Sequence, residues 1–125
     1  MSSKLFVAAV SLGLVLSRVP VFTHHSLAAA FDEENRITLK GTITKVELVN
    51  PHGWIYLDVR GADGKVANWA IVTAAPSTLW RRGLTKDDLR VGMAVVIEGH
   101  RAREKAAAAV GRILRLADQT ELFLR

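Results

Sequence analysis

Cysteine is absent from this chain, which removes disulfide staples, thiolate metal sites, iron–sulfur clusters and thiol nucleophiles together. Also missing is a long hydrophobic run. The apolar stretch Leu5–Leu16 has 12 uncharged residues, short of the roughly 20 that a membrane-spanning helix needs. The sequence holds no phosphate loop, no dinucleotide fingerprint and no nucleophile elbow. A dense basic face is lacking as well. The net charge is +5, and removing residues 1–23 takes away Lys4 and Arg18 and no acid, leaving +3 over several segments. That surplus attracts anionic surfaces weakly and argues against a nucleic-acid partner.

What the chain does have begins at its amino terminus. Lys4, the run Leu5–Leu16, and then Ser17, Arg18 and Pro20 follow the layout of a secretory signal. Cleavage after Thr23 makes His24 the new terminus. Cleavage after Ala30 uses Ala28 and Ala30, a better small-x-small fit, and discards His24 and His25. Without cleavage the segment is a weak tether. The expected organisation is a signal at 1–23, extending to 30 in the second case, and one domain over 24–125. The expected compartment is the periplasm, with no stable span once the signal is gone.

From Ile37 onward the apolar period is two, with a slip between Ile43 and Val46 that predicts a long first strand with a bend or bulge. Asn50-Pro51-His52-Gly53 reads as a turn. Trp54–Arg60 alternates cleanly, with Ile55, Leu57 and Val59 on one face. Gly61-Ala62-Asp63-Gly64 closes a hairpin onto Lys65–Thr73. Pro76 opens a short helix that Gly83 ends, and Thr85–Asp88 resembles a capping box. Met93–Gly99 is a fourth strand and Arg101–Ala109 an Ala-rich connection with helical composition. Short strands follow at Arg112–Leu116 and Glu121–Leu124. A helix between strands three and four of a mainly antiparallel all-β chain predicts a small OB-like barrel. A partly open β-sandwich is the alternative.

Several segments together resemble a known family: His24-His25-Ser26 with Phe31-Asp32, Leu39–Glu47, Asn50-Pro51-His52-x-Trp54, Asn68-Trp69-Ala70, Leu79-x-Arg81-Arg82-Gly83 and Val96-x-Glu98-Gly99. The resemblance is to small exported bacterial proteins catalogued as domain of unknown function 6152. It implies a small periplasmic β-barrel whose mature chain starts at the His-His-Ser, and it implies no activity. Thr23 stands where alanine is usual there, and Met93 where a polar residue is.

Chemistry-bearing residues are few. The four histidines are His24, His25, His52 and His100. A mature terminal His24 offers its amine and its imidazole to one ion, and His25 or His52 adds a nitrogen. That donor set suits copper, zinc or nickel. The competing reading is a solvated terminus plus a turn histidine bonded to backbone, with Asn50 and His52 satisfying a bent strand end. His100, at the end of strand four, reads as a surface residue, and Trp80 as helix packing. Trp54, Tyr56 and Trp69, with Arg60 and Arg101 at the margin, form one exposed ligand platform if strands two and three pair through the Asp63-Gly64 turn. Otherwise one or more of these rings covers the barrel end. Adjacent carboxylates at Glu33-Glu34 and Asp87-Asp88 point apart, so no acid/base pair is expected.

The expectation is a non-enzymatic exported binding domain. It holds a small ligand through Asn50, His52, Trp54, Tyr56, Trp69 and Arg101, or a metal ion through His24, His25 and His52. The alternative is an envelope accessory module that docks on a protein partner through the aromatic and arginine face.

Overall fold

The computed structural model describes residues 31–104 and 107–125. Among them run β1 (Phe31–Leu48), β2 (Gly53–Arg60), β3 (Val66–Val72), α1 (Pro76–Arg81), β4 (Ala94–Ala102), β5 (Ala108–Arg115) and β6 (Glu121–Phe123). The first strand starts well before Ile37. The polar run after Phe31 hides it, and the register against β4 shifts between Phe31↔Ala102 and Arg36↔His100. The predicted bulge is present. Ile43 pairs with Leu57 and Lys45 with Tyr56, so Thr44 is the extra residue and the strand bends there.

The β2–β3 turn places Gly64 at φ 79°, a conformation that suits glycine. The Gly61 N–H donates to the Lys65 carbonyl at 2.8 Å, and the Lys65 N–H to Asp63 Oδ1 at 2.9 Å. Proline opens α1, whose buried face carries Leu79. Gly83, at φ 89°, ends it. At the next turn Asp88 Oδ2 accepts from the Thr85 N–H at 2.6 Å and from its hydroxyl at 2.9 Å, the acid arm of the expected box.

The Arg101–Ala109 connection is not helical in its described residues. Strand β4 continues to Ala102 and β5 begins at Ala108. Tertiary pairing overrides alanine's helix preference here: Ala108, Ala109 and Val110 pair in parallel with Ala70, Ile71 and Val72 of β3. That pairing completes a ring. Strand β1 lies between β2 and β4, β2 pairs with β3, β3 with β5, and β5 with β4, while β6 adds to the far end of β5. The mostly antiparallel ring, with α1 between β3 and β4, is all-β and fits the OB-like expectation better than a sandwich.

Side chains on the inner face fill the ring. Ile43, Ile55, Leu57, Ile71, Ile97 and Leu114 are each no more than 1% exposed; burying each such side chain stabilises by about 1.5–3 kcal/mol. Leu79, Leu84 and Leu89, from α1 and the loop after it, join the same cluster. The outer face carries a second, smaller cluster of Phe31, Val72 and Val110 with Trp54 and Ala102 against them. Its members alternate with inward residues: Ile71 faces in and Val72 out, Ala109 in and Val110 out.

Candidate functional site

The Asn50-Pro51-His52 turn joins the end of β1 to β2 and is anchored from below. Gly53 donates to the Ala74 carbonyl at 3.1 Å and accepts from the Thr73 N–H at 2.8 Å. A Cβ at Gly53 would overlap Thr73 Oγ1, so glycine lets the turn seat closely. Asn50 is exposed and His52 half-buried. Neither side chain has a hydrogen-bond partner among the described residues, so the backbone-satisfying reading of this pair is not what the structure shows. Two residues on, Trp54 joins the outer cluster with Phe31.

Tyr56 occupies the same outer face as Trp54. Its hydroxyl donates to Glu47 Oε2 at 3.4 Å, and Lys45 sits 5.5 Å from its ring centre while pairing with Glu47 at 2.5 Å. The Lys45 ammonium, bonded to Glu47, holds that carboxyl below the usual range, and Glu47 in turn raises the lysine. Beside them Asn68 Nδ2 donates to Thr44 Oγ1 at 3.0 Å and to Asp58 Oδ1 at 2.9 Å.

The expected three-ring platform does not form. Tyr56 pairs with Ala70 and Leu57 with Trp69, which puts Trp69 on the inward face. It packs against the main core, and Arg101 lies 5.2 Å from its ring centre. The physical reason is that β3 is apolar on both faces: Ile71 enters the ring while Phe31 and Trp54 cover Val72 on the outside. Trp69 and Arg101 therefore cover one end of the ring, away from Trp54 and Tyr56. Trp80, expected to pack, is 56% exposed, because the buried side of the one-and-a-half-turn α1 is taken by Leu79.

Of the expected metal ligands, His24 and His25 lie outside the described residues. No group of three or more histidine, aspartate or glutamate side chains able to hold a metal ion occurs among the described residues. Phe31, however, is buried in the cluster that contains Trp54. Phe31, the first described residue, thus lies beside Trp54, on the strand that follows His52.

Three residues that matter were missed by sequence reasoning. His100, expected at the surface, is 8% exposed, and its Nδ1 is buried without a hydrogen-bond partner. The strand end buries it because Val110 on one side and Arg36 on the other are its cross-strand neighbours. Arg36 and Arg112 join it in lining a half-open cleft of about 360 Å³. No local signal marks the three, since their meeting depends on the β1–β4–β5 register.

No helix among the described residues is long and apolar enough to cross a membrane. Comparison with known families gives a match over residues 12–111 to a family of unknown function (DUF6152). Curated proteins and solved structures gave no match.

Proposed function

The chain belongs to that family, and we propose that it serves as a non-catalytic binding domain, exported to the periplasm, that holds a transition-metal ion through His24, His25 and His52. The short uncharged run behind Lys4 supports export, since it has the length of a signal and not of a span. With the ring filled by aliphatic side chains, a ligand has to bind outside it, and the β1–β2 turn is an outer position that presents an imidazole with no hydrogen-bond partner among the described residues.

The observation that carries this reading is the burial of Phe31 in the cluster with Trp54. Six residues of extended chain reach about 20 Å, so His25 and a terminal His24 have the length to come back over His52. An amino-terminal amine with its own imidazole makes a chelate ring, and the His52 ring completes a nitrogen set suited to copper(II) or zinc(II). Affinity falls as pH drops, because protons compete for the same nitrogens.

The test is to purify the exported form, sequence its amino terminus and titrate copper(II) and zinc(II) by calorimetry. A chain that starts at His24, binds one equivalent, and loses at least about tenfold in affinity on His52→Ala supports the reading. A chain that starts at Phe31, or binding no tighter than that of the His24→Ala/His25→Ala/His52→Ala variant, overturns it.

A further inference from the structure

We propose that the cleft lined by Arg36, Arg112 and His100 is a second site, which takes a small organic monocarboxylate with a short apolar tail. The argument starts from donors. Arg36 and Arg112 are exposed, and neither has an ion pair or hydrogen bond from its side chain among the described residues. Glu98, the carboxylate on the same lining, is already engaged: Arg115 pairs with it and with Glu121. Two guanidinium groups are therefore left facing a cleft whose own acid is neutralised.

His100 adds a third donor. Its Nδ1 is sealed from solvent and unpartnered. Stranding a lone pair is more readily tolerated in protein interiors than stranding an N–H, so a ring proton is assigned to Nε2. Of the ring's two nitrogens, the one that remains for a ligand is then an N–H. Two guanidiniums and an imidazole N–H form a donor-only set, which calls for an oxyanion.

The apolar part of the lining sets the class. Ile113, the cross-strand neighbour of Glu98, is a half-buried residue of the cleft lining, whereas Ile37, next to Arg36, packs inward against the core. A volume of about 360 Å³ is at the lower end of small-ligand pockets. Summed over Arg36, Arg112, Arg115, Glu98 and Glu121, the nearby formal charge is +1, which one carboxylate balances and a phosphate dianion exceeds. The carboxylate sits on the arginines and the tail lies along Ile113.

The test uses the full exported chain, ¹⁵N-labelled, titrated separately with sodium acetate, sodium butanoate and inorganic phosphate while amide shifts are followed. Butanoate is expected to give saturable shifts at Gly99, His100 and Ile113, with an affinity several-fold above acetate. Arg36→Gln and Arg112→Gln, both at exposed positions, should each weaken butanoate by about tenfold or more with an unchanged thermal midpoint. His100→Phe keeps the ring's bulk and should weaken it about fivefold or more. Equal affinity for acetate and butanoate, stronger binding of phosphate, or butanoate shifts that persist in the arginine variants would each overturn the proposal. Loss of copper binding in a His52→Ala chain leaves this site untouched, so the two proposals fail separately.

Discussion

Gly99→Ala should be among the most damaging single-atom-group additions to this fold. Gly99 lies opposite Gly111 where the β4–β5 register shifts. A Cβ there would overlap the Val110 carbonyl oxygen and stand 3.0 Å from its carbonyl carbon and 3.2 Å from the Gly111 Cα. Both obstacles are backbone, so no side chain can rotate away. Neither strand is free to move, because β4 is tied to β1 at Ile37↔Gly99 and β5 to β3 at Val72↔Val110. Overpacking costs about 1–3 kcal/mol, and two weakened ladder bonds add about 0.5–1.5 kcal/mol each, for a total of about 2–6 kcal/mol. In a domain of this size that lowers the thermal midpoint by at least about 8 °C. Gly64→Ala is the control: its φ is 79° and nothing lies within 4 Å of an added Cβ, so only the left-handed backbone penalty of about 1–2 kcal/mol applies. Chemical denaturation of both variants measures the difference. If Gly99→Ala is no worse than Gly64→Ala, the β4–β5 contact drawn here is wrong.

The other outcomes concern local features. Trp54→Ala should cost about 2–4 kcal/mol by opening the outer cluster, whereas Trp80→Ala, at a position 56% exposed, should cost under about 1 kcal/mol; urea midpoints separate them. Asp88→Ala removes both bonds to Thr85 and should cost about 0.5–2 kcal/mol, as loss of a cap does, with Asp87→Ala nearly neutral in the same assay. In acid, Glu47 and Asp118 should act in one direction. The Lys45 hydrogen bond lowers Glu47 and the Thr120 N–H lowers Asp118, so the unfolded chain takes up these protons first. Their stabilisation is present above the ordinary carboxylate range near pH 4 and is lost as pH falls below it. A Glu47→Gln/Asp118→Asn chain should therefore show a flatter fall in thermal midpoint between about pH 5 and pH 3; an unchanged slope would count against both interactions.

Local chemistry was legible from the sequence wherever one turn or one strand decides the outcome. The slip after Ile43 marked the bulge at Thr44, Asp63-Gly64 marked the hairpin, and Pro76 with Gly83 bounded α1. Where two strands share the decision, the sequence was ambiguous. In β3 both Ala67-Trp69-Ile71 and Val66-Ala70-Val72 are apolar sets, so alternation alone does not say which faces the ring. The register Ile55↔Ile71 settles it and sends Trp69 inward. Likewise nothing near His100 in sequence hints that Arg36, from the hidden first part of β1, lies across it. The alanines after Lys105 carried a helical signal that parallel pairing to β3 overrode.

The register also explains why two separate sites are compatible with so small a domain. On the outer surface a single cross-strand row runs from Glu47 to Trp54, Val72, Val110, His100 and Arg36. Trp54, beside His52, and His100 are three strand steps apart on that row, about 14 Å at the usual spacing. The middle of the row is apolar: Val72 and Val110 are buried beneath Phe31. A metal ion near His52 and a carboxylate at Arg36 therefore share no ligand and are separated by low-polarity side chains. Sites this far apart without common partners act additively within about 0.5 kcal/mol. Copper(II) affinity measured with and without saturating butanoate should then differ by less than about threefold. A larger change in either direction would mean that the two histidines, His52 and His100, belong to one site and that the row does not separate them.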